Sequence, residues 1–503
     1  MASIKRTKNY LVCAAFIGGM SVMSIEMAIS RLLAPYFGTS LVVWTNILGI
    51  IMIALTIGYY VGGRIADKYP NENIFYKLML ATGIYVAFIP FGIIPLTRLA
   101  FYGIEQAVHT FTIGTLLLAV GLMVVFLALP FVALGMFTPY AVKLRSQQSA
   151  QVGNLAGQIF TWSNIGSILG TFIPALLTIP LIGTSRSILL FAALLMLVSI
   201  IGLKKWLLLL LPIGTIVATT FPFKIKPEPK LIYDTESVYN YIQVFKESNG
   251  LTILRLNEGH AEHSLYAPNA YIFNGVWDYY LLLGLLNKGK SLLNIGFAGG
   301  TVARQYAYFM PGCKIDGVEI DPALEEVGKR YFGLTEVPDL NIITQDGRLY
   351  LSTTTKTYDN ILIDAYKQPY IPFHLTTQEF FTEVKRHLNP RGIVGINVGS
   401  TAPNSAILLM IQNTMKSVFK HVYRVKARRS LNYVVWATDY DLAIDSIEFE
   451  GNQEELKPLI NYIKNHTIEI KYNPSCLVLT DDVAPVELYT EKMIIDFAND
   501  LTK

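Results

Sequence analysis

Long apolar segments dominate the first 223 residues and restrict what this part of the chain can fold into. Seven of them follow one another, at residues 11–29, 41–61, 76–96, 112–129, 160–182, 188–203 and 206–221. A helix needs about 20 apolar residues to cross the roughly 30 Å core of a bilayer, and these segments approach or reach that length. The pattern predicts an all-α multispan membrane domain of about seven spans in residues 1–223. Residues 131–142, after Pro130, fit a broken continuation of the fourth span.

Glu26 is a carboxylate inside the first apolar segment, where an ionisable group is costly and often functional. One interpretation pairs it with Arg31 near the membrane surface, where the pair would fix helix packing. The other makes Glu26 a membrane site for a cationic substrate such as a polyamine. The loop at residues 62–68, GGRIADK, also fits two interpretations: a tight interfacial turn, or a loop similar to one found in major-facilitator transporters.

The second half of the chain has the composition of a soluble protein, so the overall 52% of hydrophobic and 16% of charged residues average two unlike parts. Residues 224–230, KIKPEPK, predict a stiff polar linker. We expect a small β element and an entry helix at 231–290, and a main domain with a C-terminal extension at 291–503. The net charge of +4 is too small to indicate nucleic acid, and three widely spaced cysteines predict neither a metal site nor a disulfide framework.

Residues 291–321 predict a nucleoside pocket. A short apolar strand at 291–296 ends in the turn Gly296-Phe-Ala-Gly299-Gly300, whose glycines let the backbone approach a ligand. A helix and a second strand at 314–319 follow, and Glu319 ends that strand. Ligands of open α/β sheets bind at the carboxyl ends of the strands, where an acid can accept both hydroxyl hydrogens of a ribose. The turn lacks the G-x-G-x-x-G of dinucleotide binders, which favours S-adenosylmethionine or a relative over NAD.

Strand and helix patterns keep alternating to residue 438, which predicts a Rossmann-like, mostly parallel α/β sheet. We expect its further strands at 341–344, 358–364 and 392–399, with a last pair at 421–425 and 433–438. The small β element before it is predicted at 239–245, 251–257 and 271–273, followed by a helix at 274–286.

Each of three acids in this region has both a structural and a functional interpretation. Asp346 follows the third strand, where it would either cap a helix or accept a hydrogen bond from an adenine amino group. Asp364 ends the fourth strand, where it would be a structural loop acid or the group that deprotonates an attacking amine. Asp278 lies at the start of the helix at 274–286, as a helix-start charge or as a wall of the pocket.

Several of these pieces together resemble the spermidine synthase family, the polyamine aminopropyltransferases, over residues 230–438. The resemblance rests on the glycine turn, VEID at 318–321, QDGR at 345–348, the strand that ends in Asp364, and IPFHLTTQEF at 371–380. The whole chain is similar to a membrane-fused branch of that family. Residues 479–487, LTDDVAPVE, are also similar to an element of that branch.

The resemblance implies transfer of the propylamine group of decarboxylated S-adenosylmethionine to an amine such as putrescine, achieved mostly by positioning the reactants. Glu319 would bind the ribose, Asp346 with Gly347 the adenine, and Gln243 the edge of the pocket. Asp364 would be the base that deprotonates the amine. No metal is expected.

Two acids that the family uses to select diamines are missing, because Gly299 and Lys367 occupy their positions. Asp278, Tyr366 and Glu487 are the candidates for binding substrate instead. Three interpretations remain open: aminopropyl transfer, methyl transfer from intact S-adenosylmethionine, and a sensor or transporter that binds a nucleoside or polyamine without turnover. The expected partners are a small-molecule amine and the lipid bilayer, and a homo-oligomer is left open.

Basic residues predict the orientation of the spans, because loops rich in lysine and arginine usually stay in the cytoplasm. Lys8, Arg64, Lys143 and Lys205 belong to loops that share one predicted side. Seven spans with a cytoplasmic N-terminus would place the second half of the chain outside the cell. An S-adenosyl nucleoside is a cytoplasmic ligand, so we expect a multi-pass cell-membrane protein with a cytoplasmic catalytic domain. Either one span is missed or miscounted, for instance near residues 130–144, or the N-terminus lies outside.

Overall fold

The computed structural model describes the backbone of residues 2–37, 41–109, 113–147, 151–220, 228–257, 261–367, 369–428, 430–441, 444 and 447–501. The chain divides into two compact units, Met1–Glu228 and Pro229–Lys503. The domain boundaries expected from the sequence at residues 223, 230 and 290 stay predictions.

The first unit is helical throughout its described elements. Its helices are α1 Ala2–Phe37, α2 Leu41–Lys68, α3 Glu72–His109, α4 Ile113–Ser146, α5 Val152–Ile173, α6 Ile179–Ile182, α7 Thr184–Leu203 and α8 Leu210–Ala218. A π-helical turn, Pro174–Thr178, joins α5 to α6. Six stretches of the described residues are long and apolar enough to span a membrane: Tyr10–Pro35, Val43–Lys68, Glu72–Ile93, Met123–Ser146, Val152–Ile182 and Thr184–Leu203.

The seventh predicted span, at residues 206–221, is wrong. The chain forms a 3₁₀ turn, Trp206–Leu209, and then α8, which has only 9 residues. The apolar helix as a whole runs from Trp206 to Ala218. At about 2 Å per residue in the 3₁₀ turn and 1.5 Å in α8 it is about 22 Å long, short of the roughly 30 Å that a bilayer core requires. Among the described residues the candidate spans therefore number six rather than seven.

The break expected after Pro130 is also wrong, because α4 runs through that proline without interruption. A proline inside a helix cannot donate to the carbonyl four residues earlier, which here is that of Phe126. The Tyr85 hydroxyl of α3 donates to the Phe126 carbonyl at 3.0 Å and replaces the missing hydrogen bond. A neighbouring helix therefore satisfies the carbonyl that Pro130 leaves without its helical donor.

The second unit contains two sheets. The first is antiparallel, in the order β1-β2-β3-β4, and the second has eight strands in the order β12-β10-β11-β9-β8-β5-β6-β7. The strands are β1 Leu231–Glu236, β2 Tyr241–Lys246, β3 Thr252–Leu256, β4 Glu262–Tyr266, β5 Ser291–Ile295, β6 Lys314–Glu319, β7 Leu340–Thr344, β8 Tyr358–Ile363, β9 Leu388–Gly399, β10 His421–Lys426, β11 Asn432–Thr438 and β12 Ile468–Glu469. Strands β5 to β9 pair in parallel, which confirms the predicted Rossmann-like sheet.

Helices cover both faces of the large sheet. They are α9 Val276–Tyr279, α10 Leu281–Asn287, α11 Thr301–Phe309, α12 Pro322–Tyr331, α13 Gly347–Thr353, α14 Gln378–Arg386, α15 Ala406–Val418, α16 Lys457–His466 and α17 Val486–Leu501. Consecutive strand residues point to opposite faces, so Leu362 belongs to one buried core with Tyr280 and Ile363 to the other with Phe380. Burial on both faces makes these strands continuously apolar.

The strand predicted at residues 271–273 is wrong, and the real outer strands of the small sheet, β1 and β4, were not predicted. The Tyr271 ring stacks on Tyr308 with 3.8 Å between ring centroids, and the Phe273 N–H donates to the Asp278 carboxylate. The aromatic residues that indicated a strand therefore serve packing, while the backbone bonds to a side chain instead of a neighbouring strand.

Candidate active site

The turn after β5 needs glycine because it packs against the end of β8. Gly296 has φ +82°, and a Cβ on it would lie 2.5 Å from the Cα of Ala365. That neighbour is backbone, so it cannot give way to a side chain. The Gly296 N–H donates to the carbonyl of Val318 in β6 at 3.0 Å. The turn is thus held between the carboxyl ends of three strands, and Gly300 then opens α11 with φ +80°.

Glu319, at the end of β6, is bonded to this turn. One carboxylate oxygen accepts the Ala298 N–H at 2.8 Å and the other accepts the Asp321 N–H at 3.2 Å. Burial raises the pKa of Glu319 to about 7, although these hydrogen bonds act in the opposite direction. Each oxygen keeps a second acceptor position, so the group could also receive the two hydroxyls of a ribose.

Gly299 has no room for the acid that the resemblance would place there. Its N–H donates to the Ser264 hydroxyl at 2.9 Å, and a Cβ on Gly299 would lie 2.9 Å from the Cβ of Ser264. The hydroxyl of Thr301 binds the Leu265 carbonyl at 3.0 Å, which fastens β4 to the start of α11. Strand β4 therefore fills the space that a side chain at position 299 would use.

A cavity of about 520 Å³ opens where β4, the glycine turn and the ends of β8 and β9 meet. Three of the predicted site residues line it: Gly296, Asp364 and Tyr366. The loop at residues 273–277 forms another wall. Glu319, Asp346 and Gly347 are not among its lining residues. Such a volume, mixed in polarity and placed at the carboxyl ends of parallel strands, suits a small amine and the reacting end of a donor.

Asp364 follows β8 and projects into this cavity. Its N–H donates to the Ile295 carbonyl at 2.8 Å, and its carboxylate accepts the Asn397 side-chain N–H at 2.8 Å. Burial raises the pKa of Asp364 to about 6, and the neighbouring Asn397 and Tyr280 side chains offset part of that shift. A carboxylate with a pKa near 6 can take a proton from a bound ammonium at neutral pH.

The hydroxyl of Tyr366 makes two hydrogen bonds to the backbone of β9. It accepts the Gly399 N–H at 2.8 Å and donates to the Asn397 carbonyl at 3.1 Å. Tyr366 thereby fixes the end of β9 against the loop after β8. Tyr366 lines the cavity while its hydroxyl is hydrogen-bonded within the protein.

The Asp278 carboxylate stabilises the loop at residues 273–277 through hydrogen bonds. This buried carboxylate accepts the Asn274 N–H at 2.6 Å and the Gln305 side-chain N–H at 2.6 Å, besides that of Phe273. Burial raises the pKa of Asp278 to about 6 despite these hydrogen bonds. The acid supports the loop at 273–277 that lines the cavity, and its expected contact with substrate stays a prediction.

Asp346 caps α13, which is the structural role predicted as one of its two interpretations. One oxygen accepts the N–H groups of Arg348 and Leu349 at 3.0 Å each, and the other lies 3.1 Å from the His374 Nε2. The His374 hydrogen bond is the main cause that lowers the pKa of Asp346. A side chain on Gly347 would collide with Ile295 of β5, so this glycine brings α13 close to the sheet. Their roles toward adenine stay predictions.

The remaining predicted site residues lie on three other elements. Gln243 is fully buried in β2, in register with Arg255 of β3, which lines the cavity. Glu487 is half-buried in the first turn of α17, a helix that contacts the loop after β8 through Glu491 and Tyr370. Glu26 is buried in α1 of the first unit, where its main-chain carbonyl accepts the Ser30 hydroxyl at 3.1 Å.

Comparison with known proteins places this site in a family. Residues 282–432 match the sequence model of the spermine/spermidine synthase domain. A "probable polyamine aminopropyl transferase" of Bifidobacterium longum is 35% identical over 194 residues, or 38% of this chain and 43% of that protein. A polyamine aminopropyltransferase of Vibrio vulnificus is 32% identical over 220 residues, or 41% of this chain and 73% of that protein. The chain belongs to the polyamine aminopropyltransferase family.

The similarity is confined to part of each protein. The chain spans less than half the length of the Bifidobacterium longum relative. A crystal structure described as a probable spermidine synthase from Corynebacterium glutamicum is 19% identical, with a TM-score of 0.40, and the match covers 52% of this chain and 98% of that one.

Sequence reasoning missed several residues of this aminopropyltransferase-family cavity. Asn294, Asn397, His263 and Ser264 all line it. The two asparagines carried a usable signal, because each is a polar residue inside an otherwise apolar strand, SLLNI and GIVGINVG. His263 and Ser264 carried none, since β4 itself was not predicted.

Proposed function

We propose that this protein is a membrane-anchored aminopropyltransferase that moves the propylamine group of decarboxylated S-adenosylmethionine to an amine such as putrescine. The observation that carries the proposal is the half-buried Asp364 at a cavity of about 520 Å³ that is also lined by the glycine turn bonded to Glu319. This combination supports a nucleoside on one side and a deprotonated amine on the other. Family membership supports the same chemistry.

The reaction needs one proton transfer and one displacement. The Asp364 carboxylate takes a proton from the bound ammonium and frees the lone pair of the nitrogen. That lone pair forms a bond to the carbon next to the sulfonium, while the carbon–sulfur bond breaks and its electrons stay on sulfur. Methylthioadenosine leaves, and the product carries the propylamine group on its nitrogen. Most of the rate gain comes from holding the two reactants in line.

The donor would lie across the glycine turn. Glu319 accepts the ribose hydroxyls, Asp346 and Gly347 border the adenine, and Gln243 closes the edge of the pocket. Asp364 must be ionised to act as a base, so its pKa of about 6 sets the acidic limb of the pH–rate profile.

One observation favours a second candidate, methyl transfer from intact S-adenosylmethionine. The position of the acid expected to hold the propylamine ammonium is Gly299, and Ser264 occupies the adjacent space. This change removes one reason for the site to prefer the decarboxylated donor.

Product analysis separates the two candidates. Detergent-purified protein is offered either donor with a panel of amines, and the products are identified by mass spectrometry. Aminopropylated amine with methylthioadenosine is the expected result. Methylated product with S-adenosylhomocysteine would establish the second candidate, and no product with any pair would refute both.

The membrane part of the proposal is a cytoplasmic second unit. Six crossings return a chain to the side on which it began, and the basic N-terminus favours the cytoplasm. A reporter enzyme that works only in the cytoplasm should be active when fused to either terminus. Activity at only one terminus would mean an odd number of crossings.

A further inference from the structure

Three polar side chains converge on one face of the large sheet at the edge of the cavity. Strand register puts Asn294 of β5 beside Leu362 of β8, and Leu362 beside Gly395 of β9. Asp364 and Asn397 each lie two residues farther along their strands, so all three point to the same face. All three line the same cavity.

The two asparagines carry oxygen atoms that no other described residue satisfies. Asn294 is 2% exposed and Asn397 is 5% exposed, and the side-chain oxygen of each makes no hydrogen bond within the described part of the chain. The Asn397 side-chain N–H donates to Asp364, which fixes the planar amide and directs its oxygen away from Asp364. A buried acceptor without a donor is costly, so each of these oxygens needs a partner, which a bound ligand in the cavity could supply.

We propose that Asn294 and Asn397, together with Asp364, form a cradle of three acceptors that binds the nitrogen of a primary amine acceptor. A primary ammonium carries three N–H donors, one for each acceptor. This inference rests on the proposed function and names residues that position the nucleophile.

Neutral amide oxygens suit this task because they accept hydrogen bonds from the nitrogen in both of its protonation states. A second carboxylate at the same place would favour the ammonium and oppose its deprotonation. In this cradle only Asp364 is charged, so the proton moves to Asp364. The neutral amine then rotates about its C–N bond, keeps an N–H hydrogen bond to an amide oxygen, and turns its lone pair towards the donor carbon. The acidic residues among the described lining are Asp364 and Glu262, and Glu262 is exposed.

The test compares Asn294→Leu and Asn397→Leu with the control Asn360→Leu. Asn360 is buried in β8 on the same face of the sheet, but near the amino end of the strand, where it accepts a hydrogen bond from Asn287. We expect each cradle variant to raise the KM for putrescine roughly tenfold, the usual effect of one lost hydrogen bond to a charged group. The KM for the donor and the Kd for methylthioadenosine should change less than about twofold, as should every constant of the control.

Methylated amines give a readout that a merely structural role would not move. N,N′-dimethylputrescine has one N–H fewer at each end, so the wild-type protein should use it less well than putrescine. In the cradle variants one acceptor is already missing, and the difference between the two amines should shrink. A cradle variant that keeps the full preference, or that raises the donor KM as much as the amine KM, would overturn the proposal.

Calorimetry keeps this inference separate from the proposed function. Putrescine is titrated into each protein in the presence of methylthioadenosine, which requires no turnover. Binding to the wild type that both cradle variants weaken supports the cradle even where no product forms. Binding that the variants leave unchanged, or no binding to the wild type, contradicts it.

Discussion

Replacing Asp364 by asparagine should stabilise the protein at neutral pH while removing its activity. Burial raises the pKa of this carboxyl from 3.8 to about 6, so at neutral pH the charged carboxylate destabilises the folded state relative to the unfolded state. The shift of roughly two units corresponds to about 3 kcal/mol at 1.36 kcal/mol per unit. This figure is a ceiling, because Asp364 is only half-buried and solvent screens part of its charge.

The stability difference between the variant and the wild type should depend on pH in a defined direction. Between about pH 4 and pH 6 the folded carboxyl binds a proton that the unfolded one has lost, so wild-type stability falls as the pH rises through that window. The asparagine side chain of the variant has no proton to lose. The variant should therefore match the wild type near pH 4 and exceed it in unfolding free energy above pH 6. The Asn397 N–H can still donate to the new side-chain oxygen.

Thermal unfolding of the detergent-purified protein, followed at several pH values, measures this difference. Turnover should fall by about 10²–10⁴-fold, the usual contribution of a general base. Glu326→Gln, a change at an exposed residue of α12, is a control that should alter neither property. A variant that is less stable than the wild type by the same amount at every pH would refute the charge argument. Retained turnover would refute the assignment of the base.

Three further predictions concern the glycine turn. Glu319→Gln should weaken methylthioadenosine binding at least roughly tenfold by calorimetry, because one backbone N–H would then face an amide N–H; unchanged affinity would contradict the pocket assignment. Gly296→Ala should cost about 2 kcal/mol or more in unfolding free energy, and a wild-type melting temperature would show that the turn tolerates a side chain. Gly299→Asp should impair folding alone but not when combined with Ser264→Gly, and equal behaviour of the two proteins would exclude a clash with Ser264.

The order of elements in the second unit could be predicted because strands and helices each have a recognisable local sequence pattern. Strand β6 has the predicted bounds, and β5 and β8 end within one residue of the predictions. The carboxyl ends of parallel strands share one edge, so Glu319 and Asp364 could be assigned to a common region without knowing any distance. Their chemical roles remain proposals.

Length and hydropathy likewise determined most of the first unit, but not its last segment. Residues 206–221 are as apolar as a span, yet α8 holds only 9 residues. Composition cannot tell how much of an apolar run becomes one helix. Nor could it show that the Tyr85 hydroxyl satisfies the Phe126 carbonyl that Pro130 leaves free, since the two partners lie on different helices.

The details of the candidate site were decided by contacts between residues far apart in the chain. Ser264 of β4 fills the space beside Gly299, and Asn294 and Asn397 face the same cavity from two strands. The sequence determined which polar groups the chain carries and which strands they end. Only the tertiary structure decided which of them the protein satisfies internally, as with Asp278, and which it leaves for a ligand, because hydrogen bonding between distant segments depends on where folding brings them together.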